Sequence, residues 1–152
     1  MKSFLGAFLL TLLLTFAYTA SYNNTVTGSQ TASAESGSIA FNLNATGDLP
    51  GMLSVTLRHE NGNVNGGTWT LTVLPANADA SSSETGRLTG TFTGGAITLD
   101  ANGLATAANS VQLSVQSGAG QFEAITGGSG TLSLSADAEN STKLGGPLTL
   151  NF

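Results

Sequence analysis

Few side chains in this sequence could carry chemistry, and they do not fall into a catalytic spacing. His59 is the one histidine, and cysteine is absent from the 152 residues. Protein zinc sites combine several His, Cys or carboxylate ligands, so the sequence predicts no metal site and no cofactor. If His59 lies on a strand, it shares a face with Leu53, Val55 and Leu57, which alternate along the same run. We expect it at a barrel mouth, facing solvent or a ligand.

Hydrolytic chemistry is not predicted either. A serine hydrolase needs its serine on a strand-to-helix elbow, and residues 127–130, which include Ser129, lack that context. A paired-carboxylate glycosidase needs two acids facing one cleft. Glu60, Asp100 and Glu123 are available, but nothing in their spacing brings them together. The sequence therefore predicts no catalytic residue.

The elements that would position these residues are indicated by four Gly-Gly pairs, which begin at Gly66, Gly94, Gly127 and Gly145. Each pair precedes a short run in which apolar and small polar residues alternate, the mark of a strand with one buried face. Glycine supplies the positive φ angles of tight turns. Because the pairs are unevenly spaced, they predict hairpin turns rather than a repeat of constant period.

Alternating runs recur along the chain at spacings of roughly 8–15 residues, and no helical period is present. The pattern predicts an all-β fold, a single antiparallel barrel of about eight strands joined by hairpins. Asn61-Gly62 predicts a type I′ hairpin turn. The candidate ligand-binding residues are the large side chains expected inside and the polar ones near them: His59, Trp69, Phe92, Phe122 and Glu123.

The first residues have the composition of a secretory signal peptide. Met1-Lys2 is a positive start, residues 4–16 are mainly apolar, and small residues follow. The apolar run has about 13 residues, fewer than the ~20 that span a bilayer, which favours a signal over a membrane anchor. Cleavage after Ala17, Ala20 or Ser21 fits this pattern. The predicted location is secreted, periplasmic or extracellular.

The domain boundaries follow from this division. Residues 1–20 are predicted to be the signal peptide, and residues 37–152 the antiparallel barrel. Residues 21–36 are rich in Ser, Thr, Asn and Gln with almost no apolar periodicity. They are typical of a flexible polar leader or of an irregular first strand.

The charge of the chain argues against nucleic acid as a partner. The formal net charge is −5 at pH 7, and charged residues make up 9% of the chain. Nucleic acid needs a basic footprint, so it is not a predicted partner.

Threonines on the outward face of two predicted strands repeat every ~6.6–6.8 Å, a spacing that could contact polysaccharide or order water. Strand propensity alone also accounts for them: Thr68, Thr70, Thr72, Thr89, Thr91 and Thr93.

Residues 117–131 (SGAGQFEAITGGSGT) resemble a pattern of the allene oxide cyclase and dirigent-like β-barrels, and residues 89–95 look like the strand before it. In that pattern Arg is usual where Gln121 stands, and Thr where Ala119 stands. The resemblance implies an eight-stranded barrel, with Phe122 directed into its interior. No catalytic residue of the family can be matched to this sequence.

Together these observations predict a secreted, non-enzymatic barrel that binds a small apolar molecule or has a structural role in the cell envelope. A cell-surface polysaccharide is the other predicted partner. An allene oxide cyclase-like isomerase is an alternative, which requires Glu60, Glu123 or His59 in a polar pocket inside the barrel. A small outer-membrane barrel is a further alternative, suggested by the closing residues 148–152, and it requires an apolar outer belt ~25 Å tall.

Overall fold

The computed structural model describes residues 19–34, 37–75 and 84–152, which form eight strands and no helix. None of these residues belongs to a helix capable of crossing a membrane. Residues 1–18 of the predicted signal and residues 76–83 of a polar loop lie outside the described residues. The strands are β1 (Ser21–Ala34), β2 (Ser38–Gly47), β3 (Gly51–Glu60), β4 (Asn63–Val73), β5 (Gly86–Leu99), β6 (Ala105–Gly120), β7 (Gly128–Ala136) and β8 (Lys143–Asn151).

Each strand pairs antiparallel with the next, and β8 pairs with β1, so the sheet closes into a barrel. This confirms the predicted single antiparallel barrel of about eight strands. The β1–β8 ladder continues to Ala20 and Phe152, whose N–H groups each donate to the other's carbonyl oxygen at 3.1 Å. Closure leaves no edge strand among the described elements for another chain to extend.

The first strand corrects the predicted flexible leader over residues 21–36. β1 is hydrogen-bonded on both sides, to β2 and to β8, so the barrel domain begins at Ser21 rather than at residue 37. The sequence signal was weak because the inward positions of this strand include Asn24, Gly28 and Gln30, with Val26 as the one aliphatic residue among them. The irregular first strand was the correct alternative.

The Gly-Gly pairs also differ from prediction, because three of the four lie inside β4, β5 and β8 instead of in turns. Gly66 and Gly67 have φ of 153° and 124° and pair with Arg58 and Leu57, next to a register shift. A Cβ on Gly67 would collide with the Thr56 carbonyl oxygen. These glycines let strands bend and approach closely, as barrel closure requires.

Hairpin turns are made elsewhere by single glycines and asparagine. Asn61 and Gly62 have φ of 50° and 79°, so both adopt the left-handed conformation predicted for a type I′ turn.

The barrel interior is filled by the inward side chains of all eight strands. An eight-stranded barrel is just wide enough for side chains to fill it, and the largest fully buried ones here are Trp69, Phe41, Leu43, Leu53, Leu57, Leu71, Leu88, Leu132, Leu148 and Leu150. The outward positions carry mainly Thr, Ser and Asn. Met52 and Leu99 are the large apolar side chains that the described residues expose.

Candidate functional site

The five predicted ligand-binding residues do not form one site. Trp69, Phe92 and Phe122 are 1%, 3% and 8% exposed, and belong to the core. His59 is half-buried near the end of β3, and Glu123 is exposed in the turn between β6 and β7. Because consecutive strands run in opposite directions, β3 and β6 end at opposite ends of the barrel. His59 and Glu123 therefore cannot act on one ligand.

Trp69 packs inside the barrel against β5, which has a glycine at the facing position. Its neighbour on β5 is Gly90, and a Cβ there would lie 2.7 Å from the indole Nε1 and Cζ2 atoms. The indole N–H has no hydrogen-bond partner among the described residues. Trp69 therefore fills the barrel as part of its packed core.

Among the described residues, Asn24 is the one polar side chain that is buried as fully as the core residues, at 5% exposed. Its Oδ1 atom accepts a hydrogen bond of 2.8 Å from the Leu49 N–H, which holds the turn between β2 and β3 against β1. Its Nδ2 atom is buried, and no acceptor for it lies in the described part of the chain. A single amide engaged in holding a turn does not make an acid–base pocket.

An aromatic cluster closes the barrel end at which β1 begins. The rings of Tyr22 and Phe152 stack with centroids 4.7 Å apart, and Phe122 meets Phe152 edge-on at 6.1 Å. Phe122 and Ile125 lie in the β6–β7 turn, where the Ile125 N–H donates to the Phe122 carbonyl at 2.9 Å. Tyr22, Ile125 and Phe152 are half-buried.

The opposite barrel end carries His59 in a shallow hollow of about 520 Å³, which is also lined by Gly37, Arg58, Glu60, Asn61 and Asn65. The His59 backbone N–H donates to the Gly37 carbonyl at 2.8 Å. Arg58 and Glu60 are both exposed there, and the ion pair found among the described residues joins Arg87 to Glu84 at 2.8 Å instead.

A second hollow at this end, of about 320 Å³, lies beside Gln30 and the β5–β6 and β7–β8 turns. The Gln30 Oε1 atom accepts a hydrogen bond of 2.9 Å from the Ala105 N–H. Since β1 and β6 are not neighbours in the sheet, the Gln30 side chain crosses the barrel end and helps to close it.

Several carboxylates stabilise turns instead of forming a catalytic group. Asp48 Oδ2 accepts from the Asn23 N–H at 2.7 Å, and Asp100 Oδ1 accepts from the Leu104 N–H at 2.9 Å. Asp137 Oδ1 accepts from the Glu139 N–H at 2.7 Å. Within the described ranges, no group of three or more His, Asp or Glu residues could hold a metal ion.

The outward hydroxyls form rows across the strands, which the sequence alone could not align. Thr68 pairs with Thr56 and Thr91, while Thr70 pairs with Ser54 and Thr89. Neighbouring strands lie ~4.7–4.9 Å apart, so hydroxyls in a row are close neighbours. We call these the hydroxyl rows. The first comprises Thr56, Thr68, Thr91, Ser114 and Ser129, and the second comprises Ser54, Thr70, Thr89 and Ser117.

A hollow of about 570 Å³ lies on the wall formed by β7, β8 and β1, lined by Thr27, Gly28, Ser135, Ala136, Asp137, Lys143, Leu144 and Gly145. Gly145 pairs with Thr27 on one side and with Ser135 on the other. We call it the Gly145 hollow. Sequence reasoning missed it, because Gly145 was assigned to a turn and the lining residues are far apart in the chain.

Comparison with protein-family models, with curated proteins and with solved structures found no match to this chain.

Proposed function

We propose that this chain is a secreted, non-enzymatic barrel whose outer surface binds uncharged polysaccharide, such as that of a cell envelope. The observation that carries the proposal is the division of side chains between the two faces of the sheet. Apolar side chains fill the inside, and hydroxyl and amide groups in register cover the outside.

The packed interior supports a binding site on the outside. Each of the three hollows described above opens at the surface, and none is lined by Trp69, Phe92 or Phe122. Ligand pockets for small apolar molecules are concave and lined by apolar side chains. The filled core therefore gives less support to an apolar ligand held within the barrel than to a partner on its surface.

The chemistry of the surface supports a neutral glycan. Ser and Thr hydroxyls each donate and accept hydrogen bonds, and amides do both, as the hydroxyls of a sugar also do. Charged residues are only 9% of the chain, so a strongly anionic or cationic polymer would find few counter-charges. A long uncharged chain can instead contact several registered hydroxyls at once.

The two alternative functions have less support. A cyclase would need a polar group inside the barrel, whereas Glu60 and Glu123 are exposed and His59 is at the rim. An outer-membrane barrel would need an apolar outer belt, whereas the outward positions beside Trp69 and Leu71 are Thr68, Thr70 and Thr72.

A second candidate function is binding of an apolar molecule at the aromatic end of the barrel. The half-buried rings of Tyr22 and Phe152 favour it, since they stack at 4.7 Å and are not fully covered. Such a ligand would lie against the mouth rather than inside.

Retention on insoluble polysaccharides tests the proposal. The purified protein is mixed with cellulose, chitin and cross-linked dextran at low and high salt, with heat-unfolded protein as the control. We expect retention on at least one of these, unchanged by salt, because uncharged contacts are not screened. No retention on any of them, or retention lost at high salt, contradicts the proposal. Displacement of a fluorescent fatty acid would instead favour the second candidate.

A further inference from the structure

The geometry points to the Gly145 hollow as the place where one segment of the polysaccharide is held, and we propose it as the sugar-binding subsite. This inference rests on the proposed function, which it makes specific to three strands of the barrel wall. The hydroxyl rows on β4 and β5 present an unbroken layer of side chains, whereas the Gly145 hollow is a concavity, and ligand sites are usually concave.

The concavity arises because an outward position of β8 has no side chain. Ser135, Gly145 and Thr27 form one row across β7, β8 and β1. The neighbouring outward positions on β8 are Lys143 and Pro147, which pair with β1 on either side of this row. Gly145 is therefore the floor of a depression with side chains on four sides.

Little space remains beside that floor. A Cβ built on Gly145 would lie 3.2 Å from Thr27 Cγ2 and 3.3 Å from the Val26 carbonyl oxygen. A methyl group there would press on β1 and stand in the hollow. The absence of a side chain is thus what permits close approach of a ligand to the backbone.

The polar groups around the floor are available to a ligand. Thr27 and Ser135 are exposed, and neither hydroxyl takes part in a hydrogen bond among the described residues. Asp137 uses its Oδ1 atom to hold its own turn, which leaves its Oδ2 atom for a ligand, and Lys143 is exposed. One acid and one base balance each other, so the hollow suits a ligand without net charge.

The size of the hollow fits this use. About 570 Å³ falls within the roughly 300–1,000 Å³ typical of small-molecule sites. The apolar atoms of Ala136 and Leu144 also line it. They offer contact to the C–H face of a sugar ring, while the hydroxyls at its sides bond to the ring's substituents.

Two substitutions in the hollow and two matched substitutions on the opposite wall test the inference. Gly145→Ala fills the floor, and Thr27→Val removes a hydroxyl at constant shape. Gly94→Ala and Thr98→Val make the same changes on β5, outside the hydroxyl rows; Thr98 is exposed, and a Cβ on Gly94 meets no atom within 4 Å. Far-UV circular dichroism and Trp69 emission check that every variant is folded.

We expect Thr27→Val to weaken retention about three- to tenfold, the equivalent of one lost hydrogen bond, and Gly145→Ala to weaken it by about tenfold or more. The two control variants should bind like the unmodified protein. If the unmodified protein binds and all four variants bind equally well, or only the controls lose binding, the hollow is not the subsite while the proposed function stands. If the unmodified protein binds no polysaccharide, the proposed function itself fails.

Discussion

The indole of Trp69 fits inside the narrow barrel because the residue that faces it, Gly90, has no side chain. Trp69 is 1% exposed, and Gly90 faces it from β5 with no side chain of its own. The position is also tight against β6, because a Cβ on Gly90 would collide with the Ser114 carbonyl oxygen. At this site glycine is needed for space rather than for an unusual φ angle.

Gly90→Ala should therefore destabilise the barrel. Overpacking a filled core typically costs about 1–3 kcal/mol, and here the methyl group meets backbone as well as the indole. Urea unfolding followed by Trp69 fluorescence measures the loss of unfolding free energy. Gly94→Ala is the matched control, expected within about 0.5 kcal/mol of the unmodified protein. Equal stability of the two variants would contradict the packing role of Gly90.

The carboxylates show how the chain uses residues that could have been catalytic. Asp48, Asp100 and Asp137 each accept backbone N–H bonds in or beside a turn. Aspartate favours turns for this reason. Their role could be anticipated from their place in loop sequences, whereas the partners, such as Asn23 for Asp48, depend on which strands come together.

Among the elements, β1 was the hardest to predict and is central to closure. Its inward positions include Asn24, Gly28 and Gln30, so apolar alternation is nearly absent. Pairing with β2 and β8 on both sides supplies the stability that its own pattern does not indicate. The Gly-Gly pairs gave the opposite error, since they predicted turns where most lie inside strands: Gly66 and Gly67 have positive φ angles within β4, whereas Gly146 allows close approach of the backbones of β7 and β8.

If the proposed secretory signal is cleaved, the pairing of β1 with β8 helps to predict where the cut falls. A signal cleavage site needs small residues at its last and third-last positions. Ala17 with Thr15, and Ser21 with Thr19, satisfy this, whereas a cut after Ala20 places Tyr18 at the third-last position. A cut after Ser21 would remove the reciprocal bonds between Ala20 and Phe152. We therefore expect the mature chain to start at Tyr18.

N-terminal sequencing of the exported protein measures this directly. Ala17→Leu should block the cut and leave the precursor intact, while Ser21→Leu should leave it unchanged. Mature protein beginning at Ser21 or Tyr22 would show the assignment of the cut to be wrong. Uncleaved protein that is not exported would contradict secretion, and it would leave polysaccharide binding by the barrel to its own test.

At the scale of the whole molecule, the closed sheet and the single filled core make the barrel one unit. Each of the eight strands pairs with two others, which are its neighbours in the chain except where β8 pairs with β1. Buried side chains from all eight strands belong to one cluster. No strand can detach without exposing this core and breaking ladders on both of its sides.

We expect unfolding in a single cooperative step. The one tryptophan reports on the core, and far-UV circular dichroism reports on the sheet, so both signals should change at the same urea concentration. The Trp69 emission should also shift to longer wavelength on unfolding. A fluorescence change that precedes the loss of sheet would instead reveal a core that loosens before the barrel opens.

The sequence by itself determined the all-β class, the approximate number of strands and the apolar inside, because alternation with period two is a local property of the chain. It also identified Asn61-Gly62 as a turn, since left-handed φ angles depend on residue type. The tertiary structure decided everything that depends on register: that β1 closes the barrel, that the hydroxyls align in rows, and that Gly145 lies between Thr27 and Ser135. Within a hairpin the alternation and the turn constrain the register, but the pairing of β1 with β8 joins the two ends of the barrel chain and is decided only when the sheet closes.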